Sequence, residues 1–250
     1  MNLYAMKKTH VLPLALLVAC FSLSGSLLAA GEKPADASSA KVTALKEREA
    51  ADELTRVLKD IQTLQAQFQQ TTMDNGGRRL QESSGDMVLK RPNLFRWNVA
   101  DPFPQEVVSN GQQVSYYDKE MEQITLQDLD LASSATPALL LSGDTAAMLE
   151  SFAVNMAKTS GNHFFTLLPK GGDSPFQELQ LTFVDGRLSN MVLLDSLGSR
   201  TKILFDKVVM NEPVKDKLFE QYVPPGIDVL DQRASVMNAQ KPASQSVGKP

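Results

Sequence analysis

The sequence predicts an α+β protein organised around one antiparallel sheet of about eleven strands. Three observations carry this. The turn dipeptides Asn110-Gly111 and Asp185-Gly186, and the longer turn Asp74-Asn75-Gly76-Gly77, separate short runs that read as strands. A single long amphipathic stretch precedes them. No strand–helix–strand alternation appears, which argues against a doubly wound parallel sheet. With 250 residues the chain holds one or two domains.

The elements follow in order. Lys7 and Lys8, then an uncharged apolar run from Val11 to Ala30 that ends in small residues, have the layout of a secretory signal peptide over 1–30. A membrane anchor is the rival, disfavoured by Pro13 and Gly25. Leu17-Val18-Ala19-Cys20 resembles a lipobox, but the apolar run continues through Phe21, Leu23, Leu27 and Leu28, where an acylated chain normally turns polar. Residues 31–41 read as a flexible lead-in. From Val42 to Leu64, apolar residues recur at three- and four-residue steps, which predicts a helix. Its stripe fits plain core packing or a cover over a sheet opening.

Strands are expected at 65–73, 80–90, 94–100, 105–109, 113–117 and 122–126. Two short helices follow, over 136–141 with Thr136 as cap and Pro137 in the first turn, and over 144–150. Strands resume at 152–157, 163–169, 177–184, 188–195 and 201–210. Pattern is lost beyond Pro224-Pro225-Gly226-Ile227, and 233–250 is expected to be disordered. So many antiparallel strands in one sheet must curl. The concave face is then filled partly by the helices, and the remainder is side chains or a cavity. Apolar residues of both parities, as in Leu94, Phe95 and Trp97, predict burial on both faces in places.

Composition narrows the chemistry. A net charge of −4 gives no electrostatic basis for binding nucleic acid. Cys20 is the only cysteine, so no internal disulfide or thiolate zinc cluster forms. There is no Gly-x-Ser-x-Gly elbow, and His163 is the only histidine after the signal segment. The acids at 118–122 and 128–130 lie at turns and read as solvated. No cofactor or metal is expected, and enzyme function is weakly supported. The segment Lys90-Arg91-Pro92-Asn93-Leu94-Phe95-Arg96-Trp97 is the densest in unusual content. Either its arginines are exposed, or Arg91 faces inward and binds carbonyls at the end of a covering helix.

This segment, with Pro102-Phe103-Pro104-Gln105-Glu106-Val107-Val108-Ser109-Asn110-Gly111 and Tyr117–Thr125, resembles the periplasmic outer-membrane lipoprotein carriers of the LolA family. The Thr136-Pro137 helix and the stretch Pro224–Gln232 are similar too, so the likeness runs in order from Ala50 to Gln232, inside a domain bounded at 42–232. The resemblance implies an unclosed β-barrel with a helical lid over a hydrophobic cavity. It implies a monomeric periplasmic carrier in a Gram-negative bacterium. Acylated lipoproteins would be taken from an inner-membrane ABC-type release complex and passed to an outer-membrane acceptor. By motif, Arg91 takes the lid-latching role and Phe95 that of the functional aromatic. Trp97, Leu139, Leu140, Leu141, Met148 and Leu149 are the further expected acyl-chain contacts. One departure is Ser115-Tyr116-Tyr117, where such families often carry tryptophan. Two other readings stay open, an acceptor of related fold anchored through Cys20 and a cell-envelope hydrolase. Mass spectrometry of the mature N-terminus separates the acceptor, which alone would begin at a lipidated Cys20.

Overall fold

A computed structural model describes residues 37–129, 141–143, 145–172, 174 and 176–233. The signal segment with Cys20, most of the predicted 136–141 helix and the tail beyond 233 lie outside the described residues.

Helix α1 (Ala37–Lys59) leads into a meander of six strands: β1 (Thr63–Met73), β2 (Arg79–Lys90), β3 (Leu94–Asp101), β4 (Gln105–Asn110), β5 (Gln113–Asp118) and β6 (Gln123–Asp128). Leu141 and Ser142 are helical, and α2 (Thr145–Ser151) follows. A second meander comprises β7 (Phe152–Thr159), β8 (Asn162–Pro169), β9 (Phe176–Val184), β10 (Arg187–Asp195) and β11 (Arg200–Met210). A 3₁₀ turn (Asp216–Phe219) and β12 (Asp228–Asp231) complete the chain order.

Pairing of β1 with β11 fuses the two meanders into one twelve-stranded sheet, ordered β12-β6-β5-β4-β3-β2-β1-β11-β10-β9-β8-β7. Its end strands, β12 and β7, do not pair with each other, so the curved sheet stays open. Eleven strands were expected. The twelfth is four residues long and pairs in parallel with β6, Asp228 opposite Gln123 through Asp231 opposite Leu126. A strand that short, with Val229 and Leu230 both about half exposed, has no alternation to detect.

This topology dictates what covers the sheet. The chain leaves β6 beside one edge and re-enters at β7, the opposite edge, so the connection between them must cross a face. Its described part, 141–143 and 145–151, lies on the concave one, where Leu141 joins the main apolar core and Leu149 packs against it. α1 covers the same face through Ala50, Leu54, Val57 and Leu58, spaced at three and four residues. Among the described residues no helix is long and apolar enough to cross a membrane. The helix stops at Lys59, although the apolar stripe runs on to Ile61 and Leu64. Those two belong to the loop and to β1, and they point into the same core.

The segment after β11 must likewise cross half the sheet to reach β6, and it takes the convex face. Phe219 is buried outside the main core, as are Val108 and Ile124, which face away from the concave side. Arg96 Nη1 donates to the Leu218 carbonyl at 3.1 Å and pairs with the buried Glu106, and Ser115 Oγ bonds Gln221 at 2.9 Å. This strap explains the apolar residues of both parities in β3–β6.

Hairpin turns follow the local chemistry. Asp185 and Gly186 both adopt positive φ (48° and 75°), as a two-residue turn matching strand twist requires. Asp118 Oδ1 accepts the backbone N–H groups of Glu120 and Met121, so this acid is a turn former.

Candidate functional site

The β2–β3 connection, Arg91-Pro92-Asn93, is the point at which the cover meets the sheet rim. The Arg91 backbone N–H donates to the Gln62 carbonyl at 2.9 Å, at the base of α1. Its guanidinium Nη1 donates to the Gly143 carbonyl at 2.6 Å and reaches Thr145 Oγ1 at 3.5 Å. Gly143 follows the helical residues Leu141 and Ser142, and carbonyls at such a helix end have no partner within the helix. A cation is a strong donor to them. Asn93 N–H donates to the Ser142 carbonyl at 2.8 Å, and Ser109 Oγ donates to the Asn93 carbonyl at 2.7 Å. One hairpin therefore bonds both the loop between α1 and β1 and the segment before α2.

Below this rim the wall is apolar. Phe95 and Trp97 point to the concave face at 0% and 6% exposure. The Trp97 ring stacks on Phe68 at 3.7 Å between centroids, lies 6.2 Å from Phe95 and meets Phe205 edge-on at 6.4 Å. β1, β3 and β11 are thereby joined by one aromatic cluster. Across the sheet, Phe165, Leu167, Leu181 and Phe183 continue the wall. All these residues lie on one side of a single sheet, so their burial requires a cover, which α1 and the 141–151 segment provide. Of the acyl-contact candidates, Phe95, Trp97 and Leu141 are in the main core, and Leu149 is half-buried against it. Leu139, Leu140 and the side chain of Met148 lie outside the described residues.

Two groups of functional interest carried no sequence signal. Asn211, with φ of 62°, staples the base of α1. Its Oδ1 accepts Gln62 N–H at 2.8 Å, its Nδ2 donates to Asp60 O at 2.8 Å, and its own N–H donates to Thr63 O at 2.9 Å. Glu53, on α1, is bonded by Arg56 of its own helix at 2.9 Å, by Lys158 of β7 at 2.9 Å and by His163 Nε2 of β8 at 2.8 Å. His163 stacks on Phe165 with its centroid 5.9 Å away. The partners lie 105 and 110 residues from Glu53 in sequence, beyond the reach of any local pattern.

The Arg56 guanidinium, followed by the Lys158 ammonium, holds the Glu53 carboxyl well below the usual carboxylate range; partial burial opposes them and His163 assists. The folded chain therefore binds this proton more weakly than the unfolded chain. Its stabilisation is present above the ordinary Glu value of 4.5 and is lost as pH falls below it. Stability measured from about pH 6 to about pH 3 should fall less steeply in Glu53→Gln than in the parent chain. Parallel profiles would remove Glu53 from that role. Among the described residues no group of three His, Cys, Asp or Glu side chains is placed to hold a metal.

An open antiparallel sheet whose apolar concave wall is covered by helices defines the class of fold to which this site belongs. Within it, residues 59–221 match the family model described as outer membrane lipoprotein carrier protein LolA, and the chain belongs to that family. It is 45% identical over 183 residues to the outer-membrane lipoprotein carrier protein of Pseudomonas paraeruginosa, spanning 73% of this chain and 88% of that one. The corresponding Azotobacter vinelandii protein is 45% identical over 179 residues, 72% of this chain and 86% of the other. Among solved structures, a LolA superfamily protein from Nitrosomonas europaea is similar, with a TM-score of 0.42 and 12% identity over 69% of this chain and 98% of that one.

Proposed function

We propose that this chain is a periplasmic carrier in a Gram-negative bacterium. It accepts acylated lipoproteins from an inner-membrane ABC-type release complex and delivers them to an outer-membrane acceptor. It acts as a monomer, without cofactor and without catalysis. The observation that carries this reading is the apolar wall around Phe95 and Trp97, covered by α1 and by the segment before α2 that Arg91 grips. Family membership and the names of the relatives support it.

The physics of acyl chains fits such a wall. Each buried CH₂ contributes about 0.8 kcal/mol, so sheltering roughly fifteen of them is worth on the order of 12 kcal/mol before costs. Net affinity has to be far smaller, or cargo never leaves. A cover that must be lifted supplies the reduction, because its opening free energy is subtracted from binding. Unbranched tails need a broad greasy surface rather than a polar code. In this reading Phe95, Trp97, Leu139, Leu140, Leu141, Met148 and Leu149 contact the tails, and Arg91 sets the opening cost.

The test is mixing with an acylated lipoprotein in detergent-free buffer. A soluble 1:1 complex should form with the acylated protein and not with the same protein stripped of lipid. Equal binding of both forms overturns the proposal.

A further inference from the structure

The geometry points to a second latch, on α1, in which Glu53 is clamped by Lys158 and His163 and holds the helix shut separately from Arg91. The inference rests on the carrier reading above, and it begins from what can and cannot be replaced when cargo enters. The underside of α1 meets the wall through Ala50, Leu54 and Leu58. Such contacts are non-directional, and an acyl chain sliding beneath the helix replaces them in kind. The bonds to Glu53 have no counterpart in a hydrocarbon. Lifting α1 returns the carboxylate and its partners to water, so these bonds resist opening whatever the cargo.

Position along the helix strengthens the case. The base of α1 is stapled at Asp60–Thr63 by three hydrogen bonds of Asn211. Glu53 lies seven residues before Asp60, roughly 10 Å along the axis at 1.5 Å per residue. A contact at that distance from a fixed base opposes rotation about it. Arg56 orients the carboxylate through two 2.9 Å bonds, one to each oxygen, and Oε1 faces the sheet as well. There it accepts from two different strands.

His163 suits the part. Its Nε2 lies 2.8 Å from a Glu53 carboxylate oxygen, which only accepts, so Nε2 is the donor, while Nδ1 is buried with no hydrogen-bond partner among the described residues. Its side chain is only 11% exposed and rests on Phe165, so the clamp is seated on the core wall itself. Pairs such as Arg79–Glu82, within one strand, tie nothing together. Glu53 instead joins the cover to the sheet at a point distinct from Arg91, whose side chain bonds the 143–145 segment.

The experiment uses the full chain and the uncharged apolar fluorophore N-phenyl-1-naphthylamine. Removing a latch raises the fraction of open molecules and lowers the apparent Kd in proportion. Glu53→Gln should lower it at least threefold and speed amide exchange in residues 46–58, while β3 keeps its protection. His163→Leu should do the same, whereas His163→Gln, which keeps an N–H donor, should stay within about twofold of the parent. Combined with Arg91→Leu, the effects should multiply. Parent-like probe affinity and α1 exchange in Glu53→Gln overturn the latch, as does a double variant no tighter than Arg91→Leu alone. If Glu53→Gln fails to fold, Lys158→Met, at a half-exposed site, should give the same change with smaller size, and its absence counts equally against the clamp. Failure of the carrier reading itself registers separately, as a parent chain that takes up no acylated protein.

Discussion

Arg91→Leu should bind acylated cargo roughly tenfold to a hundredfold more tightly than the parent chain and release it correspondingly more slowly. The substitution deletes the 2.6 Å bond to the Gly143 carbonyl and the contact with Thr145. Hydrogen bonds to charged groups contribute about 1.5–3 kcal/mol, and about 1.4 kcal/mol is a factor of ten in affinity. In the closed state that free energy opposes binding; during handover the same bond re-forms and helps expel the tail. Leucine removes both. The main-chain bonds from Arg91 to Gln62 and from Asn93 to Ser142 remain, as does every strand pairing. Loss of stability is therefore bounded by the cost of lifting the cover. The measurement is transfer of a labelled lipoprotein from loaded carrier to an acceptor, beside a urea midpoint for each variant. Arg91→Lys, a point charge without the planar fork, should fall between the two. Transfer at the parental rate, or an unfolding shift larger than the change in transfer, removes the latch role from Arg91.

The two contact points divide the cover between them. Arg91 holds the segment that bridges the sheet edges, and Glu53 holds α1. Both bonds join a lid element to the sheet by polar contact, while the lid's remaining contacts are apolar and exchangeable for cargo. A carrier built this way tunes affinity without altering its greasy wall, since the wall sets what is bound and the polar contacts set how readily it leaves.

How far this was legible in the sequence follows from the range of each signal. Asn110-Gly111 and Asp185-Gly186 fixed two hairpins because positive φ is a local demand, and the structure has Gly111 at 89° and Gly186 at 75°. Alternation marked eleven strands because one face of each meets a core. The bounds of α1 shifted because Ile61 and Leu64 extend the helical stripe after the helix has ended. β12 and the 3₁₀ turn at Asp216–Phe219 escaped because a four-residue parallel strand and one buried Phe219 leave no period. Arg91 stood out through its motif and through a buried guanidinium's need for carbonyl partners. Glu53 and Asn211 did not, and His163 stood out only as the one histidine after the signal segment and not as a partner of Glu53, since each acts across more than a hundred residues and none sits in a recognisable local pattern.

Gly85→Val should leave no folded protein, and Gly85→Ala should cost well over 3 kcal/mol, a large share of the roughly 5–15 kcal/mol typical of a domain. Gly85 lies in β2 opposite Phe68 on one side and Val99 on the other, beside a register shift in the β2–β3 ladder. A Cβ built there stands 1.9 Å from the Asn98 carbonyl oxygen and 2.9 Å from Phe68 Cζ. The first neighbour is backbone and cannot swing aside, so β2 and β3 must separate. The second is the ring on which Trp97 stacks, so the aromatic cluster of the concave wall goes with it. No side chain removes the clash, because it begins at the first carbon. Gly171 provides the contrast, since a Cβ there meets nothing within 4 Å and the backbone does not need positive φ. Gly171→Ala should stay within about 1 kcal/mol of the parent chain. Soluble yield and urea midpoints of the three variants decide the matter. A folded Gly85→Ala with an unchanged midpoint would mean that β2 and β3 pack less closely at this point than 1.9 Å demands, and that the wall beneath Phe68 tolerates side chains the structure leaves no room for.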